Sequence, residues 1–135
     1  MADLTITAAN VAKGASSNTK SGTAGAAITQ GQPVYLAAAT TTLFPADADV
    51  LASAAVVGIA LNAASTGQPV TYQTSGPITI GATVVVGTAY YASTTAGGVC
   101  LESDLVTGDF ATFLGFATTA AVITLDIKAA GVAKA

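Results

Sequence analysis

From residue 28 onward, apolar and polar positions alternate over short runs separated by turn residues, the period-two signature of half-buried strands. Pro33-Val34-Tyr35-Leu36 follows a Gly31-Gln32 turn, and Val56-Val57-Gly58-Ile59-Ala60-Leu61 forms a second apolar run. Residues 68–74 alternate cleanly, Val70 and Tyr72 against Thr71 and Gln73. Ser75-Gly76-Pro77 then reads as a turn before Ile78-Thr79-Ile80 resumes the alternation. Further candidate strands lie at 83–86, 89–92, 110–117 and 121–127. Helical potential is confined to residues 47–55, one or two turns that Asp47 or Asp49 would cap. Eight or nine short strands at roughly ten-residue spacing predict an all-β fold, a sandwich or a small β-barrel.

The first 25 residues read differently. Asp3-Leu4-Thr5-Ile6-Thr7 alternates and reads as one short strand, but residues 14–25 hold no large apolar side chain and cannot bury enough surface to fold alone. The pattern therefore predicts an N-terminal arm over residues 1–25 and a β-barrel-like domain over 26–135. The arm is either a loose terminus or a segment that orders when Leu4, Ile6 and Val11 dock on a partner.

The domain also echoes itself. Gly31-Gln32-Pro33-Val34-Tyr35 is matched by Gly87-Thr88-Ala89-Tyr90-Tyr91, and Val56-Val57-Gly58-Ile59-Ala60 by Phe113-Leu114-Gly115-Phe116-Ala117. Tyr35 and Gly58 are 23 positions apart, Tyr91 and Gly115 are 24, and both intervals contain acidic residues. An internal duplication of 28–80 and 84–128 would explain the shared order and spacing; chance matching in a sequence rich in Ala, Thr and Gly is the alternative. Gly58 and Gly115 are expected to be structural glycines, where a strand bulges, bends or approaches another backbone closely.

Composition narrows the chemistry. Of 135 residues, 31 are Ala and 21 are Thr, and only 8% are charged, against about 25% in an average soluble domain. The mean hydropathy of +0.66 comes from Ala and Val; the longest apolar run, residues 50–61, is too short to cross a bilayer, so no membrane partner is expected. Four Lys, no Arg and a net charge of −3 argue against nucleic acid, which is bound through clustered cations. Without His, most catalytic triads and zinc sites are excluded. Asp47-x-Asp49 and Glu102-x-Asp104 read as solvated loop carboxylates, with cation binding as the alternative. Cys100, flanked by Val99 and Leu101 with no cation nearby, reads as a buried small apolar residue. No nucleophile has a partner base, and no phosphate loop is present, so no enzyme, cofactor or metal site is expected.

Five segments add a resemblance: the opening ADLTITAANV, ITQGQPVYLA, VVGIALNAASTGQPVTYQTSGPITIGA, GTAYYAS and the terminal FLGFATTAAVITLDIKAAGV. Over roughly residues 2–132 they resemble the capsid decoration, cement or stabilisation proteins of tailed bacteriophages. The resemblance implies a β-barrel or β-tulip head on the outer surface of a virion, made in the host cytoplasm. It also implies a homo-oligomer, a trimer being favoured, that stabilises the shell by bridging subunits of the major capsid protein. Carried onto this chain, the capsid-binding arm would run from Ala2 to about Gly25, with Leu4, Ile6 and Val11 as its anchors. The alternative function is a head-fibre base or surface adhesin whose loops, 37–49 and 93–109, contact the host surface.

Overall fold

One twelve-residue strand, β6 (Pro69–Ile80), organises the chain. The computed structural model describes residues 3–37, 41–129 and 133–134; Ala2, where the expected arm begins, and residues 38–40 of the expected loop 37–49 lie outside the described residues. Around β6 lie β1 (Val11–Lys13), β2 (Asn18–Ala24), β3 (Pro33–Ala37), β4 (Thr42–Pro45), β5 (Val56–Ala60), β7 (Ala89–Ala92), β8 (Val99–Leu101), β9 (Phe113–Ala117) and β10 (Val122–Lys128). The fold is all-β. The first half of β6 pairs with β2 and β5, and the order β2-β4-β3-β5-β6 returns to β2, closing a five-stranded barrel. Its second half pairs with β1 and β10, and the sheet continues through β9 and β7 to β8.

β6 serves both halves because it bends without breaking. Gly76 has φ of +90°, a left-handed conformation that favours glycine. The side chain of Gln73, fully buried, donates from Nε2 to the carbonyls of Ser75, Gly76 and Pro77 at 3.2, 3.0 and 2.7 Å. The expected turn at Ser75-Gly76-Pro77 is therefore corrected to a kink inside one strand, whose pairing with β10 runs through it from Asp126↔Ser75 to Val122↔Thr79. Residues 83–86, expected as a strand, form a loop that buries Val84 and leaves Val85 and Val86 exposed before the left-handed Gly87.

Alternation along the strands sorts side chains into two main cores. Val34, Leu43, Ala60, Val70 and Tyr72 fill the closed barrel with Ala24, Ile28 and Ala64. The neighbouring positions Tyr35, Val56 and Ile59 point outward from that barrel into the second core, with Ile78, Ile80, Tyr90, Val99, Leu114 and Ile123. One face of β5 thus lines the barrel and the other seals the second half.

Residues 3–25 are not a separate arm; β1 and β2 build this stretch into the sheet. β2 pairs with β6 along its length and in parallel with β4, which closes the barrel. Its lack of large side chains is what the barrel requires: Gly22 lies opposite Val70 and Ala24 opposite Leu43, and a Cβ on Gly22 would stand 2.9 Å from Leu43 Cδ1. Residues 3–7 form no strand but run extended across the second half, Leu4 N–H donating to Val99 O and Thr7 N–H to Gly81 O, both 2.8 Å. Leu4 and Ile6 pack half-buried on the second core and Val11 is buried within it, so the three expected anchors are occupied by the chain's own fold.

The two halves share one hydrogen-bonded plan. β4-β3-β5-β6 and β8-β7-β9-β10 run in the same order with the same antiparallel senses. Val34 faces Gly58 and Tyr35 faces Val56, with a register shift between; Tyr90 faces Gly115 and Tyr91 faces Phe113, with the shift at the same place. The N–H of Gly31 donates to Ala60 O and that of Gly87 to Ala117 O, both glycines having positive φ. A Cβ on Gly58 would lie 2.6 Å from both Gln73 O and Tyr72 Cδ2, and one on Gly115 would collide with Thr124 O. Gln73 and Thr124 stand at matching register, opposite Ile59 and Phe116.

Two outcomes follow from this packing. Gly58→Val is expected to lower stability by about 3 kcal/mol or more, since backbone blocks the added carbons, and to drop the melting temperature by about 10 °C in a calorimetric scan. Deleting residues 1–7 uncovers part of the second core, and a loss of about 2–3 kcal/mol in urea unfolding is expected rather than the unchanged stability of a free arm.

Candidate functional site

The connections β4→β5 and β8→β9 occupy equivalent places in the two halves and meet at one end of the molecule. Phe110 N–H donates to Ala48 O at 2.8 Å, Ala48 N–H to Ser93 O at 2.9 Å, and the Thr112 hydroxyl to Ala54 O inside the junction. Between them Ala48, Cys100 and Leu105 form a small third core, flanked by Tyr91 and Ala111.

The carboxylates at this end act as local braces. Asp47 Oδ1 accepts from Asp49 N–H at 3.0 Å and from the Ser53 hydroxyl at 2.8 Å, which folds residues 47–54 into a tight turn with one helical-type bond, Ala54 N–H to Val50 O. The helix expected over 47–55 is thus reduced to a turn, because the Asp47 brace and the bend into β5 end it at once. Asp109 Oδ2 accepts from Val106 N–H at 2.8 Å, and Asp104 Oδ2 from Leu101 N–H at 3.3 Å. Lys134 Nζ bridges Glu102 Oε1 and Leu105 O, both at 2.7 Å. The Ser93 hydroxyl donates to Asp3 Oδ1 at 2.6 Å, tying the N-terminal segment to the same end. Among the described residues, no group of three or more Cys, Asp or Glu side chains is placed to hold a metal ion.

Cys100 lies buried beneath these loops, and burial, reinforced by the negative charges of Asp3, Asp104 and Asp109, pushes its thiol up to about 12. Its Sγ sits 3.8 Å from Ala92 O. A thiol so enclosed and so firmly protonated is a poor nucleophile at neutral pH.

What the braces accomplish is display. Val50 and Leu51 on the first loop and Val106 on the second are large apolar side chains held in solvent. Sequence reading placed Val50 and Leu51 within an apolar run and overlooked Val106; a signal lay in the Asp residues that flank them, which stop such a run from becoming a strand. Two shallow, uncharged grooves lie at the other ends of the strands, one lined by Thr5, Thr7, Asn10, Thr79 and Thr83 around Gly81 and one by Ile28, Ala64 and Gln68. The expected structural glycines Gly58 and Gly115 lie in the strands behind the loops, at the two register shifts. No helix among the described residues is long and apolar enough to cross a membrane. No known family model matches the chain, and no curated protein is significantly similar to it.

The thiol gives a direct check of this packing. Because the folded thiol ionises near 12 and an exposed one near 9, the unfolded state loses its proton first as the pH rises. Stability contributed by Cys100 is therefore full below pH 9 and declines between pH 9 and 12. Melting temperatures of the native chain should fall more steeply over that window than those of Cys100→Ala. At pH 8 the native thiol should resist a disulfide reagent until the protein is unfolded.

Proposed function

We propose that this chain is a structural virion protein that binds the outer surface of a bacteriophage capsid and stabilises it by bridging major capsid protein subunits. The observation that supports this most directly is the braced pair of loops presenting Val50, Leu51 and Val106 from a charge-poor β-body. Apolar side chains held on a surface lose little freedom when a partner covers them, and the carboxylates beside them are already engaged with nearby backbone and hydroxyl groups. Binding to the mature shell alone would stabilise it by mass action, and many identical sites on a lattice multiply a modest single-contact affinity. The segmental likeness to decoration proteins gives the class of partner.

In this reading, attachment is assigned to the loop end rather than to an N-terminal arm, because Leu4, Ile6 and Val11 serve the protein's own core. A homo-oligomer on the shell, a trimer in the favoured arrangement, would place several loop ends across neighbouring capsid subunits.

The test is electron cryo-microscopy of particles incubated with native protein or with a Val50→Asp, Leu51→Asp double variant. Native protein should give symmetric density at many lattice positions. The variant should lose at least about tenfold in affinity, one factor of 1.4 kcal/mol, while its melting temperature stays close to native. Density confined to a few protrusions would move the function to a fibre base or adhesin. Unchanged variant occupancy would remove the loop end from the interface.

A further inference from the structure

The charges of this chain are gathered rather than scattered. Of its seven acids, Asp47 and Asp49 lie on the first loop, Glu102, Asp104 and Asp109 on the second, and Asp3 is tied to the same end through Ser93. Asp126, the seventh, pairs with Lys128 on β10. Of the four lysines, Lys134 is bound to the loops through Glu102, while Lys13 and Lys20 sit on β1 and β2. The loop end thus carries more negative charge than the whole chain's net −3. Asp47 and Asp109 accept from N–H and hydroxyl groups, neutral donors that orient a carboxylate without cancelling its charge. The shared field reaches Cys100 between the loops, whose thiol is pushed up by burial first and then by Asp3, Asp104 and Asp109.

These carboxylates stand beside the exposed apolar side chains. Asp49 is exposed and immediately precedes Val50 and Leu51, and Asp109 Oδ2 holds the N–H of Val106 at 2.8 Å. Val50, Leu51 and Val106 are 57%, 50% and 64% exposed. Apolar side chains flanked by charge of one sign select their partner: an anionic polymer, or the loop end of a second copy, would meet like charge there. A surface of opposite sign fits. We infer that the loop end is built for a basic protein surface, an apolar depression flanked by Lys and Arg, with the acids steering the encounter and the three apolar side chains holding it. This rests on the reading of the loop end as the attachment surface, and it adds the chemistry that the capsid partner must present. Charge then governs mainly the rate of association, and apolar burial the lifetime of the complex.

The rate at which particles lacking the protein take up the full native chain, followed by timed pelleting, tests this. Raising the salt from about 0.01 to about 0.1 M shortens the screening length from about 30 to about 10 Å, and the rate should fall about tenfold. At the lower salt, Asp49→Asn should slow uptake at least about threefold. Thr66→Lys makes the same change in net charge on the exposed turn after β5, at the opposite end of that strand from the loops, and should leave the rate unchanged. Uptake that ignores salt, or equal slowing by the two substitutions, overturns the inference and leaves attachment through the loop end standing. Uptake that requires an added divalent cation would place acids opposite the loops, and also overturns it. Particles that take up no native protein at either salt overturn the attachment reading itself, and this inference with it.

Discussion

Everything in this fold depends on a strand that is shared. β6 closes the first barrel with one half and begins the second sheet with the other, and the transition is held by the amide of Gln73. A buried primary amide is costly unless its hydrogen-bonding capacity is used. Here Nε2 donates toward three successive carbonyls at the bend, while Oε1, equally buried, has no hydrogen-bond partner among the described residues. Gly76 supplies the left-handed backbone that brings those carbonyls to one side. Polar chemistry in the interior therefore sets the angle between two apolar cores.

The shared strand also makes the two halves unequal. They follow one register down to the matched bulges and the matched glycines, yet the first is closed by β2 whereas the second borrows its extra strands from β6 and β1 and is crossed by residues 3–7. The outward face of β5 is buried by this arrangement, and the corresponding face of β9 is left in solvent. Repetition in a single chain thus leaves one outward face buried within the molecule and its counterpart partly open at Phe116. The same order of elements brings the two acidic connections to a common end, where carboxylates spend their hydrogen bonds on nearby backbone and hydroxyl groups. That use leaves the apolar loop residues fixed in place and the thiol below them sealed from solvent.

Legibility varied with side-chain size. β3, β5, the first half of β6, β9 and β10 could be read because each alternates large apolar with small or polar residues. β2 could not: Asn18-Thr19-Lys20-Ser21-Gly22-Thr23-Ala24 carries no hydrophobic signal, and its place in the barrel comes from backbone pairing and from the lack of room beside Leu43. Val84-Val85-Val86 erred the other way, being strand-like in composition but a loop in space. The loop end was visible only as two acidic stretches, because the bonds that join them link residues about 60 positions apart, as between Ala48 and Phe110.

Local pattern and composition carry the all-β class, the spacing of the main strands, the echo around Gly58 and Gly115, and the lack of His and Arg that restricts the available chemistry. These are properties of local pattern and composition, which physics reads within a few residues. Long-range packing fixes which strand closes the barrel, that Ser75-Gly76-Pro77 bends rather than turns, that Leu4, Ile6 and Val11 belong to the core, and that Phe116 lies outside it. Each of those outcomes depends on which distant backbone offers its hydrogen bonds and its free volume. Neither quantity is encoded in the short range.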